Sequence, residues 1–228
     1  MDPLPRQNQG IGAYTRLKRD IIRGTFLPGE KLLMSHLKTR YKLGAAPLRE
    51  ALSQLVGERL VVAISQRGFR VAPMSREELE DLYDARSQLE GLLLRLAIER
   101  GDDEWEAEIL AHAHTLSKVV EVSGPDEVLD IWDARHKAFH QAIMAGCGSV
   151  HLLRVREHLF DQAERYRHLW LRKTVFSEQA LATKRQEHAD LVEAILARDS
   201  DRACALMHEH LITPVPIIAR ELESRGLL

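Results

Sequence analysis

Residues 35–71 contain two short helical patterns, a glycine turn between them and a hairpin pattern after them. The first helix is predicted to begin near Ser35, and Gly44 ends it. Pro47 suits the first turn of the next helix, because the N–H group that proline lacks has no partner at that place. Two short helices joined by a tight turn containing glycine form a helix-turn-helix. This arrangement constrains the N-terminal part of the chain more than any other feature.

A β-hairpin is predicted directly after the helix-turn-helix. Residues 60–71 contain two short β-branched runs around a polar tip formed by Gln66, Arg67 and Gly68. A helix-turn-helix followed by a hairpin with a basic tip is a winged-helix arrangement. We therefore predict a winged helix-turn-helix DNA-binding domain over residues 11–73.

The chain before these elements supplies one more helix. Residues 14–23 (YTRLKRDIIR) place leucine and isoleucine at helical spacing with basic residues between them, and a glycine follows. Residues 26–31 (FLPGEK) are predicted to form a turn, because proline and glycine stand together there. The first ten residues, 1–10, are predicted to be a flexible N-terminus.

The remainder of the chain is helical in pattern. Ser75 and Glu78 form an S-x-x-E capping box, which marks the start of a helix. We predict a linker over residues 74–76 and an all-helical domain of six or seven helices over residues 77–228. Breaks are predicted at residues 101–102, 123–125, 146–149, 176–177 and 199–200, and at Pro214 and Pro216. The predicted fold class is therefore mostly α, with a small β wing in the first domain.

Charge is distributed unevenly between the two predicted domains. Residues 1–73 hold 13 Lys and Arg against 5 Asp and Glu, which leaves 19 against 29 for the rest of the chain. A basic module thus precedes an acidic one. Clustered positive charge is typical of a surface that binds nucleic acid phosphates, and a solvated basic surface is the alternative.

Other features of the sequence argue against a membrane or secreted protein. No apolar run approaches the roughly 20 residues needed to span a bilayer, and the N-terminus lacks the apolar stretch of a signal peptide. The two cysteines, Cys147 and Cys204, are too few for a disulfide scaffold or a four-thiolate metal site. We expect a cytoplasmic protein without membrane contact, in which both cysteines are structural.

Several short stretches resemble the GntR family of bacterial transcription regulators with a FadR-type, or FCD, effector domain. They are PLREAL (47–52) and GFRV (68–71) in the first domain, and DAR (84–86) with LE (89–90), FHQAI (139–143), EH (187–188) and HL (210–211) in the second. The resemblance covers about residues 11–213. It implies a repressor that binds a palindromic operator as a homodimer and responds to a small effector.

Within this family the likeness is strongest to repressors of glutarate and 4-aminobutyrate catabolism. That likeness implies glutarate as the effector and an operon for this catabolism as the target. A regulator of another organic-acid pathway and a metal-free, acyl-CoA-responsive regulator are the alternatives within the family.

Arg49 is the best candidate for reading DNA bases. Arginine can donate two parallel hydrogen bonds to one guanine, and Arg49 lies within the first turn of the predicted recognition helix. A contact with a phosphate or with Glu50 is the alternative. The other predicted DNA-binding residues lie on the second helix, at the start of the third helix and in the wing: Ser35, Lys38, Arg40, Ala45, Ala46, Pro47, Arg67, Gly68 and Arg70.

Four histidines have the spacing of a metal site. His136 and His140 are four residues apart, so both rings project from one helix face. His188 and His210 lie about ten residues to either side of a turn at residues 199–200. An antiparallel hairpin therefore brings them to the same level, about 16 Å from the turn at about 1.5 Å per residue. The four rings would suit Zn²⁺ or Ni²⁺, and ordinary core histidines are the alternative.

The family resemblance implies a metal at the same four positions. Metal-containing FCD domains use one aspartate and three histidines, and His136 stands where the aspartate is usual. Asp133, one turn earlier, is a further candidate that would bind the metal or support a ligand.

A metal-dependent enzyme is the less favoured reading of the paired histidines. The H-E-x-x-H pattern of metalloproteases places a general-base glutamate directly after the first histidine, and this chain has Lys137 there. We therefore predict that the chain is not an enzyme.

A dicarboxylate effector needs a cation for its second carboxylate. Arg86 is the first candidate, and a structural salt bridge to Glu90, four residues on, is its alternative. Arg165 and Tyr166 are weaker candidates on another helix. In this scheme the effector's two carboxylates are divided between the metal and an arginine.

Overall fold

The computed structural model describes residues 6–65, 67–122, 124, 127–171 and 177–228. Its first domain is a three-helix unit with a small sheet. In chain order the elements are α1 (Arg6–Ile22), β1 (Lys31–Leu32), α2 (Met34–Tyr41), α3 (Ala45–Gly57), β2 (Val61–Ile64) and β3 (Gly68–Val71). The predicted helix-turn-helix and wing are confirmed.

The wing contains one strand more than the sequence predicts. The strand order is β1-β3-β2, and both pairings are antiparallel, with Val61 opposite Val71. Strand β1 begins at Lys31, the last residue of the segment predicted as a turn. Its two residues are too few to produce a periodic pattern, so only pairing with β3 reveals the strand. Gln66, at the predicted tip, lies outside the described residues.

Helix α1 begins at Arg6, which corrects the predicted flexible N-terminus for residues 6–10. The physical reason is packing between α1 and α3: Gly10 is buried, and a Cβ atom placed on it would lie 3.2 Å from Glu50 Oε2. Two glycines near this end hid the helix in the sequence, because glycine lowers helix propensity. Residues 1–5 lie outside the described part.

The second domain is a bundle of helices, of which the described residues include seven. They are α4 (Arg76–Arg100), α5 (Asp103–Ser117), α6 (Ala134–Ala145), α7 (Val150–Leu171), α8 (Glu178–Leu196), α9 (Ser200–Ile212) and α10 (Val215–Ser224). One half of the capping box is confirmed at the start of α4, where the Ser75 hydroxyl oxygen accepts a hydrogen bond of 3.0 Å from the Glu78 amide. The Ser75 amide donates to the Tyr166 hydroxyl at 3.4 Å instead of to Glu78. Pro214 separates α9 from α10, as predicted.

The core of this bundle lies between α4, α5, α6, α8 and α9. Helix α4 packs against α7 and α9, and α5 packs against α6 and α8. A π-helical segment, Val128–Asp133, leads directly into α6. Across the described ranges, no helix is both long and apolar enough to cross a membrane.

Trp105 fixes the end of α6, which carries two of the candidate histidines. Its indole Nε1 donates to the carbonyl oxygens of Ala142 and Ile143 at 3.1 and 3.0 Å. Two glycines let the ring approach the backbone: a Cβ on Gly101 would lie 2.1 Å from it, and one on Gly146 would lie 2.6 Å from it. No real Cβ atom tolerates such contacts, so the ring position requires glycine at both places.

We expect Gly146→Ala to lower the free energy of unfolding by about 1–3 kcal/mol, because the added methyl group must displace the Trp105 ring. Gly91→Ala is the matched control, since a Cβ there meets nothing within 4 Å inside helix α4. That variant should gain about 0.5–1 kcal/mol from helix propensity. Urea unfolding of both variants measures the difference. Equal stability of the two would show that Trp105 is not held as described.

Candidate functional site

Helix α3 exposes the predicted base-reading residue. Leu48 and Leu52 are buried against the rest of the domain, while Arg49 is exposed. Arg49 has no hydrogen-bond or ion-pair partner among the described residues, so the alternative contact with Glu50 is absent. Because α3 begins at Ala45, Arg49 lies in its second turn rather than its first.

Most of the other predicted DNA-binding residues are exposed to solvent. Ser35, Lys38, Ala46, Arg67 and Gly68 are exposed, and Ala45 and Pro47 are partly buried at the start of α3. Within the described part of the chain, Lys38 and Arg67 also have no charged partner. They are available cations on α2 and on the wing.

Two of the predicted DNA contacts are engaged within the protein. Arg40 donates from Nε and Nη2 to Asp20 Oδ2, both at 3.0 Å, and the Tyr41 hydroxyl donates to the same oxygen at 2.8 Å. Arg40 therefore holds α2 against α1 while its side chain stays exposed, and its contact with DNA stays a prediction. Arg70 is exposed, but its Nη1 donates to the Gly29 carbonyl at 2.9 Å.

The four predicted histidines converge in the second domain. His136 and His140 on α6, His188 on α8 and His210 on α9 place one ring nitrogen each within 4.8 Å of the others. Nε2 of His136 lies 3.2 Å from Nε2 of His210 and 3.1 Å from Nε2 of His140. The ring centroids of His188 and His210 are 5.0 Å apart, as the hairpin geometry predicted.

Burial keeps all four imidazoles neutral at physiological pH. Burial, together with the neighbouring rings, lowers the pKa values of His136 and His140 well below the usual value, and burial lowers that of His188 to about 3. Burial also lowers the pKa of His210. Neutral imidazole is the form that binds a metal, because its lone pair is free.

Three ring nitrogens of the cluster lack a partner among the described residues. Nδ1 of His136, Nδ1 of His140 and Nε2 of His188 are buried and make no hydrogen bond. A buried polar atom without a partner is costly and normally indicates a missing ion or water. The donor set of this cluster therefore fits a metal ion.

A carboxylate orients one of the four rings. Glu187 Oε2 lies 3.0 Å from His210 Nδ1, and Lys184 donates to both oxygens of Glu187 at 3.0 and 2.7 Å. Burial alone would raise the pKa of Glu187, but the hydrogen bonds from His210 and Lys184 hold it at about 2. A carboxylate bound to the far nitrogen of a histidine fixes the tautomer that presents Nε2 to a metal.

Asp133 is not part of the four-histidine cluster, which corrects its predicted place as a candidate ligand. It ends the π-helical segment and pairs with Arg167 and with Nε2 of His168, the latter at 2.8 Å. Burial opposes ionisation, yet Arg167 and His168 lower the pKa of Asp133 to about 2. Asp133, His168 and Glu164 form a second cluster that the sequence did not indicate.

A small cavity of about 60 Å³ opens beside three of the histidines. His136, His140 and His210 form one part of its wall. The polar side chains that share this cavity are Tyr83, Arg86, Arg167 and Lys184. Histidines and cations thus face the same space, as a site for an anion at a metal requires.

Arg86 makes the salt bridge to Glu90 that was its alternative role, and it also lines the cavity. Its Nε donates to Glu90 Oε1 at 2.8 Å, and Arg156 donates to the other oxygen of Glu90 at 3.4 Å. The terminal nitrogens of Arg86 have no partner in the described ranges. Glu90 therefore orients the guanidinium while leaving its terminal nitrogens free for a ligand in the cavity.

Arg165 and Tyr166 are not among the residues that line the cavity, where the effector role had placed them: Arg165 contacts the first domain, and Tyr166 contacts α4 within the second. Arg165 Nη2 donates to the Ala72 carbonyl at 2.5 Å, and the Tyr166 hydroxyl donates to the carboxylate of Glu78. The next residue, Arg167, reaches the cavity instead. Each step along a helix turns the side chain by about 100°, so a shift of one or two residues changes the surface that it faces.

Helix α7 also contacts the DNA-binding domain through an ion-pair group. Lys18 on α1 lies 2.6 Å from Asp161 on α7 and 2.9 Å from Glu58 after α3. The Tyr14 hydroxyl donates to Glu58 at 2.6 Å. One helix thus borders the effector cavity through Arg167 and the DNA-binding domain through Asp161.

Two family models match this chain. Residues 11–71 match the family described as bacterial regulatory proteins, gntR family, and residues 81–213 match the FCD domain. The chain is 56% identical over 212 residues to the HTH-type transcriptional repressor GlaR of Escherichia coli (strain K12), covering 93% of this chain and 96% of that protein. It is 34% identical over 207 residues to the HTH-type transcriptional regulator BphR of Paraburkholderia xenovorans (strain LB400), covering 90% and 83%.

A solved structure shares the same fold. Escherichia coli McbR/YncC superposes with a TM-score of 0.77 at 19% identity, covering 93% of this chain and 98% of that one. The matched families and relatives are transcription regulators, which confirms that the chain is not an enzyme. The chain belongs to the GntR family of transcription regulators, among the members whose effector domain is an FCD domain.

Proposed function

We propose that this chain is a transcriptional repressor whose operator binding is relieved by a short dicarboxylate, glutarate, held at a metal ion in the FCD domain. The observation that carries the proposal is one small cavity shared by neutral histidines and by an arginine with free terminal nitrogens. The protein acts as a homodimer on a palindromic operator, because two-fold symmetric proteins match two-fold symmetric sites.

The distances among the histidines support a metal. Zinc binds imidazole nitrogen at about 2.0–2.1 Å, which places two ligand nitrogens about 3.0–3.4 Å apart at the usual angles. The Nε2 separations of 3.1 and 3.2 Å lie in this range. Four imidazoles suit Zn²⁺, and Ni²⁺ is the alternative. A fifth position on either ion accepts a carboxylate.

The cavity supports a short anionic effector. Its lining includes Arg86, Arg167 and Lys184, which suit an anion. The four-histidine cluster beside it disfavours the metal-free, acyl-CoA-responsive alternative. One carboxylate of the effector binds the metal, and the other binds Arg86. The likeness to repressors of glutarate catabolism selects glutarate, with the corresponding catabolic operon as the target.

Helix α7 supplies the route from the cavity to DNA. Arg167 borders the cavity, while Asp161 and Arg165 of the same helix contact the DNA-binding domain. An effector acts by favouring one arrangement of the domains over another. In a dimer, a small rotation at this contact changes the spacing of the two recognition helices.

The metal assignment predicts that His140→Ala and His188→Ala each lose bound metal, because each removes one of four ligands from a buried site. His151→Ala is the control, since His151 is exposed and lies outside the cluster. Elemental analysis of the purified variants measures the metal. DNA binding by the folded apo-protein should largely survive. Full occupancy in both cluster variants would refute the site.

Arg49→Ala is expected to weaken operator binding by about 1–3 kcal/mol, because a bidentate base contact is lost. Arg67→Ala on the wing is the comparison, and its loss should be the same on operator and on random DNA. Fluorescence anisotropy at fixed salt measures both. If Arg49→Ala also weakens both DNAs equally, Arg49 contacts phosphate only.

Saturating glutarate is expected to lower operator affinity about 5- to 150-fold, which corresponds to a coupling of about 1–3 kcal/mol. Linkage requires operator DNA to weaken glutarate binding by the same factor. Calorimetry with and without operator measures this reciprocity. Binding of glutarate no tighter than that of acetate, or tight binding without an effect on DNA, would exclude glutarate as the effector.

A further inference from the structure

Tyr83 is a buried tyrosine inside the effector cavity. It lies on α4, one turn before Arg86, with 2% of its surface exposed. Its side chain lines the same space as His136, His140 and Arg86. Its hydroxyl is buried and has no hydrogen-bond partner in the described parts of the chain.

The hydroxyls of the other tyrosines have hydrogen-bond partners, which the Tyr83 hydroxyl lacks among the described residues. The chain has four tyrosines, and the hydroxyls of Tyr14, Tyr41 and Tyr166 each donate to a carboxylate of the protein. A buried hydroxyl without a partner loses its contact with water and gains nothing in return, so it is destabilising. Tyr83 is the member of the set whose side chain lines a cavity and whose hydroxyl makes no hydrogen bond to an acidic side chain of the described residues.

Two cations and two carboxylates lie near Tyr83. The cations are Arg86 on α4 and Arg167 on α7, and the carboxylates are Asp133 and Glu164, both of which pair with Arg167. Arg167 is committed to these two carboxylates, whereas the terminal nitrogens of Arg86 are free. Burial raises the pKa of Tyr83, so the phenol stays protonated and serves as a donor.

We infer that Tyr83 determines effector specificity by donating a hydrogen bond to the far carboxylate of the effector, beside the terminal nitrogens of Arg86. This inference rests on the proposed function and names the residue that distinguishes dicarboxylates from monocarboxylates. A carboxylate has room for the tyrosine donor as well as for the two arginine nitrogens, since each oxygen accepts two hydrogen bonds. An effector without the second carboxylate leaves both donors unpaired.

A packing role for Tyr83 makes a different prediction. Its ring lies 5.8 Å from the Arg86 guanidinium and contributes to the position of that group. Tyr83→Phe keeps the ring and removes only the hydroxyl, so it separates the two roles. Tyr41→Phe is the matched control, because it removes a buried hydroxyl from the core of the other domain.

The test is calorimetric titration of the metal-loaded, full-length protein with glutarate and with pentanoate, which has the same carbon chain and one carboxylate. Tyr83→Phe should weaken glutarate binding about 10- to 100-fold, as expected for a hydrogen bond to a charged group. Its affinity for pentanoate should stay within about two-fold of the wild-type value. Tyr41→Phe should leave both affinities unchanged. In the absence of ligand, Tyr83→Phe should unfold at the same or a higher temperature, because it removes an unpaired hydroxyl.

Three results would overturn the inference. Glutarate affinity within two-fold of wild type would show that the hydroxyl does not contact the effector. Equal weakening of glutarate and pentanoate would show that Tyr83 acts through the metal-binding end of the cavity. If the wild-type, metal-loaded protein binds no glutarate, the proposed effector is wrong and the role of Tyr83 fails with it, whereas the first two results leave the proposed function intact.

Discussion

Burial of four imidazoles in one bundle core is the constraint around which the effector domain is arranged. Their ring centroids lie 4.4–5.6 Å apart, so protonation would bring like charges together away from water. Neutral rings avoid this repulsion but carry lone pairs that need a partner. Trp132 and Phe139 cover the rings, and Glu187 orients one of them. The core thus brings together lone pairs from uncharged side chains, a donor set that fits a cation.

The buried charges of the domain are paired in a way that leaves few donors free. Glu90 forms ion pairs with Arg86 and Arg156, while Asp133 and Glu164 both form ion pairs with Arg167. Breaking such a pair leaves an uncompensated buried charge, which is strongly unfavourable. A ligand that enters the cavity therefore meets a fixed arrangement of donors. Arg167 stands on the helix that also contacts the first domain, so one rigid element borders both the cavity and that domain.

Sequence reasoning succeeded where the signal is local or repeats along a helix. The capping box at Ser75, the hairpin around Gly68 and the convergence of His188 with His210 all follow from short spacings and from the rise of a helix. It failed for Arg165 and Tyr166, because one residue of helix rotation decides which surface a side chain faces. The rotation of α7 about its own axis depends on how it packs against α4 and against the first domain. The local sequence pattern predicts neither contact.

The sequence by itself determined the two domains, the order of the helices, the wing and the four positions where imidazoles meet. Backbone hydrogen bonding and the period of apolar residues involve only a few neighbouring residues. The helices and strands that depend on them can therefore be predicted from the sequence. Only the tertiary structure decided which partner each charged or polar side chain takes: Asp20 for Arg40, Arg167 and His168 for Asp133, and a cavity for Tyr83. Those choices depend on distances between helices that are remote in sequence, and packing of whole helix faces fixes such distances.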